Sequence, residues 1–399
     1  MTSLMLRRML LVAALAAISY VPAEVRAQAR YTATQTGDIV QLKDSRTDTI
    51  VSVMTSVSNA YEMVVKGQNV IRVPFATVDD FRARPGLNGI PLLAPFANRL
   101  DEPAFYANGK KYNFDMELGN VRGAIPIHGY LSGAKDWKLV EAKADGTAAW
   151  VTNTLDFYRN PQYMAQFPFA HTLTMTYRLE NGTLEVRTRI DNLSTEPMPV
   201  AIGFHPYFQL TDSVREEWTI SVGAKTQWLL ADNKIPTGVT EPIEKFFPDR
   251  RAVPLKDFDL DHVFGDLDRD AQGRATMSVK GKSQQLDVVV DSNFKAIVLY
   301  SPNPANQRGG GGGGNRGRGA GAAPAPASPA PATPPAASLP LSAREAQPAP
   351  PNRAFVAFEP MVGITNSMNA AHKGLYKELQ SIAPGGSWQG SFWIRTTGF

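Results

Sequence analysis

The 399-residue chain contains no cysteine, which excludes disulfides, thiolate catalysis and cysteine-ligated zinc. Such a fold has to be stabilised by core burial, and a folded part of roughly 300 residues buries about 75 % of its unfolded-chain surface. Long apolar runs are also lacking. Beyond the N-terminal region no stretch reaches the ~18 residues of a membrane-spanning helix. An excess of one charge is missing as well: 41 basic residues face 37 acidic ones, a net +4. Without residues 1–27 the balance is +2, and without residues 303–353 as well it is −2. A near-neutral body offers no electrostatic footprint for nucleic acid. Length alone allows one large β domain or two smaller domains.

What the ends contain is distinctive. Arg7 and Arg8 precede an apolar run over residues 9–20, and Val25-Arg26-Ala27 follows with small residues where a signal peptidase reads. This is the pattern of a secretory signal peptide over residues 1–27, cleaved after Ala27. The expectation is a periplasmic or secreted chain that begins near Gln28 and has no membrane attachment after cleavage. Residues 303–353 hold a six-glycine run, then Arg316-Gly317-Arg318-Gly319 and an Ala/Pro tract. That composition cannot bury enough apolar surface to order itself. Strand-like segments resume directly after it, so it reads as a disordered insertion interrupting one domain over residues 28–399. Its Arg-Gly part has no interleaved aromatics, which argues against RNA as its partner.

Between these regions the reading is β almost throughout. Residues 49–57 form a β-branched strand, and residues 61–65 and 70–73 flank a turn at Lys66-Gly67-Gln68-Asn69. The clearest hairpin joins residues 172–179 and 183–190 through Glu180-Asn181-Gly182, Asn-Gly being the strongest short hairpin signal. Its second arm would turn Leu184, Val186, Thr188 and Ile190 to one side and Glu185, Arg187 and Arg189 to the other. Further strands are expected at 217–222, 227–231, 275–280, 286–290, 296–300, 354–358 and 389–395, and the best short helix at 368–375. Many strands with closely spaced turns predict an all-β fold, a single large antiparallel β-sandwich.

Five segments carry polar residues inside apolar or proline-bent surroundings. They are Asn98-Arg99, Ile127-His128-Gly129, Phe204-His205-Pro206-Tyr207, Leu260-Asp261-His262-Val263-Phe264 and Val356-Ala357-Phe358-Glu359-Pro360. His205 leaves an apolar run, and Pro206 biases it toward extended geometry. Glu359 mirrors it, placed at the end of a buried strand before a proline. A carboxylate there is costly unless it is paired or protonated, so it is an arginine partner or a general base. The expectation is one pocket built from several strand ends.

In this order and spacing, Ala97-Asn98-Arg99-Leu100, Ile127-His128-Gly129, Gly203-Phe204-His205-Pro206-Tyr207-Phe208, Leu260-Asp261-His262-Val263-Phe264 and Phe358-Glu359-Pro360, with Ala383-Pro384-Gly385-Gly386-Ser387 before the last strand, resemble the aldose 1-epimerase (mutarotase) family. The resemblance runs from about Tyr31 to Phe399 apart from the insertion. It implies a β-supersandwich with a sugar cleft, and interconversion of the α and β anomers of a free aldose without metal or cofactor. By position it implies Glu359 as general base at the C1 hydroxyl and His205 as general acid at the ring oxygen. His128 would assist there, Arg99 and Asp261 would bind sugar hydroxyls, and Asn98 would shape the loop presenting Arg99. Trp137, Tyr207 and Phe208 are candidates for an apolar sugar-facing wall, or else core. His171 and His262 read as structural. Tyr130 stands where many members have a second glycine, a departure that bears on the shape of that loop. The expected partner is a small sugar, with no nucleic acid, on a monomer or weak dimer. Alternatives are a hexose-phosphate mutarotase, a non-catalytic carbohydrate-binding protein of the same fold, and a lyase or glycosidase on a similar sandwich.

Overall fold

The computed structural model describes residues 29–117, 119, 121–303 and 354–399. The signal peptide expected at 1–27 and the insertion expected at 303–353, apart from Asn303, lie outside them. Among the described residues strand makes up 49 % and helix 9 %, so the layers are sheet on sheet.

One layer is an antiparallel sheet of nine strands. Its order is Lys138–Ala144, Ala149–Leu155, His171–Glu180, Thr183–Asn192, Ser387–Thr397, Gln285–Val290, Ala275–Lys280, Thr219–Val222 and Val253–Pro254. A second sheet runs Pro236–Pro242, Ala224–Leu230, Leu260–Leu267, Ala296–Ser301, Val356–Met361, Gly203–Phe204 and Leu92–Leu93, with Tyr207–Phe208 also on Val356–Met361. The N-terminal strands Tyr31–Thr36, Ile39–Asp44, Thr49–Met54, Asn59–Val65 and Gln68–Asn69 form a third sheet. An Ile71–Phe208 bridge, and Arg72 N–H donating to the Tyr207 carbonyl at 2.9 Å, join it to the second. This is the expected antiparallel β-sandwich.

Local chemistry explains the elements. The hairpin of His171–Glu180 and Thr183–Asn192 closes on Asn181 (φ 49°) and Gly182 (φ 70°), the left-handed pair of a two-residue turn that matches strand twist. Leu184, Val186, Thr188 and Ile190 are buried as expected. Glu185 faces the other side as expected and is buried there too, where it accepts hydrogen bonds from Arg187 and the Ser391 hydroxyl. The turn near residue 66 is tighter than expected: Lys66 and Gly67 both take positive φ, so the return strand already begins at Gln68. Short helices at Val78–Ala83 and Pro161–Gln166 had no period long enough to show in sequence; Thr77 and Asn160 side chains cap them. The helix expected at 368–375 is present as Ser367–His372.

The main core fills the space between the layers; it takes in Leu173, Met175 and Tyr177 of the first sheet and Phe264, Leu299, Val356 and Phe358 of the second, and Phe204 of the second packs on Phe392 of the first at 4.9 Å. Each fully buried side chain of this size is worth about 1.5–3 kcal/mol. Alternate residues of the same strands, Val263, Ala296, Val298 and Met361, belong instead to a smaller cluster with Leu93, Ala97 and Tyr376. The second sheet therefore has two apolar faces, and the smaller cluster marks the one away from the main core. Among the described residues no helix is long and apolar enough to cross a membrane.

His171 is structural, as expected. Its Nδ1 lies 2.7 Å from the Phe169 carbonyl, its ring stacks on Phe157 at 4.0 Å, and burial lowers its pKa to about 4 from the ordinary 6.5. The unfolded chain thus takes up this proton near pH 6.5 and the folded one only near pH 4. Stability should fall as pH drops through that window, by up to about 3 kcal/mol from this residue. Urea midpoints measured between pH 7 and pH 4 check this: the wild type should lose stability more steeply than His171→Gln.

Candidate active site

The register of the second sheet assembles the site. Gly203 pairs with Met361, Tyr207 with Ala357 and Phe208 with Val356, so His205 stands directly opposite Glu359. Val362 N–H donates to the Ile202 carbonyl at 3.0 Å, which makes Ile202 and Val362 a hydrogen-bonded pair. Three residues on, His205 and Glu359 fall at a non-hydrogen-bonded position, where antiparallel side chains approach most closely. The flanking pairs, Phe204 with Pro360 and Pro206 with Phe358, each lose one ladder donor to proline. Glu359 is not at a strand end as expected but inside Val356–Met361. That strand runs on through Pro360 because its other edge keeps an unbroken ladder to Ala296–Ser301, with Val298 opposite Glu359.

His205 Nε2 lies 3.1 Å from Glu359 Oε1, with both side chains buried. Burial first, then the charge of Asp261, pushes the Glu359 pKa well above the carboxylate range, against the pull of Arg99. Burial first, with the positive Arg99 adding to it, lowers the His205 pKa to about 3. The pair thus favours its neutral form, a protonated carboxyl beside an uncharged imidazole. Among the described residues neither Glu359 Oε2 nor His205 Nδ1 has a hydrogen-bond partner. Unpaired buried polar atoms are costly, and these two point to a polar ligand.

The other expected residues gather around this pair. Asn98, in the left-handed region at φ 55°, accepts at Oδ1 from both the backbone N–H and the Nη1 of Arg99, each at 2.9 Å. Arg99 Nη2 lies 3.3 Å from Asp261 Oδ2. Asp261 pairs across strands with Tyr300, and Tyr300 with Ala357, so Asp261, Tyr300 and Glu359 share one face. His128, at φ 60°, accepts at Nδ1 from the Asn98 N–H at 3.2 Å, which places its ring proton on Nε2. Its ring meets His205 edge-on at 5.3 Å. The Tyr130 departure leaves the loop intact, since its hydroxyl donates to the Tyr163 carbonyl and its ring packs on Tyr163. His262 stands aside, packed on Phe246.

Of the three wall candidates only Tyr207 lies here, stacked on His205 with centroids 4.5 Å apart; Trp137 and Phe208 belong to the main core. Tyr300 was not singled out. Its signal was available in part, as a tyrosine at even spacing from the start of an apolar strand, but its place beside Asp261 depends on register. Among the described residues no group of three or more His, Cys, Asp or Glu side chains is placed to hold a metal ion.

Residues 58–330 match the family model for aldose 1-epimerase, more than half of the chain, and the chain belongs to that family. Two uncharacterized proteins of Escherichia coli (strain K12) are similar to it. YihR is 23 % identical over 219 residues, 55 % of this chain and 66 % of YihR. YphB is 22 % identical over 163 residues, 41 % of this chain and 50 % of YphB. Both alignments thus span less than two thirds of the relative. Among solved structures, a galactose mutarotase-like protein from Clostridium acetobutylicum superposes with a TM-score of 0.70 at 18 % identity, covering 92 % of this chain and 98 % of the other. A galactose 1-epimerase from Lactobacillus acidophilus NCFM gives 0.63 at 15 %, covering 92 % and 98 %. The fold is galactose mutarotase-like, and family membership supports a general mutarotase or epimerase role.

Gly129 holds the His128 turn in place. At φ +57° a Cβ there would stand 2.1 Å from the Ala94 carbonyl oxygen. Gly129→Ala should therefore cost about 2 kcal/mol or more, whereas Gly146→Ala, with nothing within 4 Å, should stay within about 0.5 kcal/mol. Thermal unfolding of the two variants side by side checks the difference.

Proposed function

We propose that this member of the aldose 1-epimerase family interconverts the α and β anomers of a free aldose by acid–base ring opening and reclosure, with Glu359 and His205 as the proton-transfer pair. The observation that carries the reading is the 3.1 Å contact between a buried imidazole and a buried carboxyl. Ring opening removes the proton from O1, forms the C1=O double bond, breaks C1–O5 and delivers a proton to O5. O1 and O5 hang from the same carbon, so base and acid must be near neighbours on one edge of the sugar.

The pair holds one proton in its favoured form. Moving it from the carboxyl to the imidazole produces the carboxylate and imidazolium that the step requires: Glu359 takes the O1 proton and His205 supplies the O5 proton. Rotation about C1–C2 and the reverse transfers close the ring on the other face. Because the favoured form places the proton on the carboxyl, the two groups are able to exchange roles between opening and closure. The Nε2–H of His128 donates toward the ring oxygen or an adjacent hydroxyl, while Arg99 and Asp261 bind hydroxyls farther along the ring. Joined with the signal-peptide pattern at the N-terminus, this makes the substrate a free sugar outside the cytoplasm.

Polarimetry on freshly dissolved α-D-glucose and α-D-galactose tests the reading. The wild type should accelerate the decay of optical rotation, and Glu359→Gln and His205→Asn should each lower kcat by about 10²–10⁴-fold. Calorimetric titration should show sugar affinity retained in Glu359→Gln, which separates catalysis from binding alone. A Glu359→Gln protein as fast as the wild type would overturn the assignment.

A further inference from the structure

We propose that Tyr207 is a positioning residue that fixes the His205 imidazole through its ring face. The other three histidines that are not exposed, with His372 exposed and set aside, show what is unusual about His205. A ring nitrogen that exchanges protons is ordinarily oriented by a hydrogen bond to the other nitrogen. His128 has one at Nδ1, accepted from the Asn98 N–H; His262 has one at Nδ1, accepted from the Asp261 N–H; His171 has one at Nδ1, with the Phe169 carbonyl. His205 Nδ1 is buried and has no hydrogen bond to another residue among those described, only an interaction with its own backbone. Beyond that and the Glu359 contact, what holds the ring is packing.

The neighbouring rings differ in what they can hold. His128 and Tyr300 meet His205 edge-on, at 5.3 Å and 77° and at 6.0 Å and 80°. Tyr207 alone lies nearly parallel to it, at 4.5 Å and 19°. Rotating the imidazole about its Cβ–Cγ bond turns its face off Tyr207 and swings Nε2 away from Glu359. Tyr207 is itself anchored: its backbone pairs with Ala357, its carbonyl accepts from the Arg72 N–H, and its ring sits edge-on to Phe355 at 5.1 Å. The Tyr207 hydroxyl is 3.5 Å from His205 Nε2, too long for a strong hydrogen bond. The ring, not the hydroxyl, does the positioning.

The kinetic arm of the test rests on the mutarotase reading; the spectroscopic arm does not. With five histidines in the chain, the His205 ring protons are assignable by their loss in His205→Asn. In folded full-length protein their nuclear Overhauser contacts to the Glu359 side chain should be kept in Tyr207→Phe and weaken in Tyr207→Leu, a readout of imidazole orientation that does not depend on the Tyr207 ring current. In polarimetry Tyr207→Leu should lower kcat about tenfold or more with KM changed about twofold or less, and Tyr207→Phe should restore kcat to within about threefold of the wild type. Tyr207→Met replaces the leucine variant should that one fail to fold. Retention of the Glu359 contacts and of kcat in Tyr207→Leu would overturn the proposal, as would a Tyr207→Phe as impaired as Tyr207→Leu. A wild type without mutarotation would remove the reading of function, and the comparison of Glu359 contacts would still decide the positioning.

Discussion

The structure depends on the contact between His205 and Glu359. Two ionisable side chains are buried face to face, where burying them charged would cost several kcal/mol each. Burial resolves this by moving their pKa values in opposite directions, so that the pair settles with one proton as a neutral carboxyl and imidazole. In the proposed mechanism the same shift serves the chemistry, since a proton that rests at one site and is needed at the other moves only across 3.1 Å. Arg99 and Asp261 set the electrostatics around the pair. Asp261 holds the Glu359 pKa up while Arg99 opposes it, and Asn98 holds Arg99 in place with two hydrogen bonds.

The second sheet is what makes such a contact tolerable. Its two faces are both apolar, one toward the main core and one toward the smaller cluster, so the His205–Glu359 pair stands on the face away from the main core. Prolines at 206 and 360 remove ladder donors on either side of the pair, while the second edge of Val356–Met361 keeps its pairing with Ala296–Ser301. The chain gives up two sheet hydrogen bonds at the site and keeps the strand anchored from the other side.

Much of this was legible in sequence for identifiable reasons. Phe-His-Pro and Phe-Glu-Pro are the same local pattern, an ionisable residue between a core aromatic and a proline, and both residues lie in the site. The Asn181-Gly182 hairpin followed from the positive φ its turn requires. Register was not legible. No local feature says that residues 205 and 359 face each other, or that Val356–Met361 runs on through its proline, because both depend on strands distant in sequence. Nor was the burial of Glu185 legible, since its partner Ser391 is distant in sequence. Trp137 and Phe208, possible site walls by type, belong to the main core; Phe208 is turned there by alternation with Tyr207.

The central claim is that the Glu359–His205 pair moves protons on the C1–O5 edge of a sugar. It is tested most directly by proton exchange spectroscopy on an equilibrated aldose labelled with oxygen-18 at O1. With catalytic amounts of the full chain, the account predicts magnetisation transfer between the α and β anomeric protons, abolished in Glu359→Gln, with the label retained on C1. Absence of transfer, or transfer accompanied by loss of the label through C1–O1 cleavage, would contradict it.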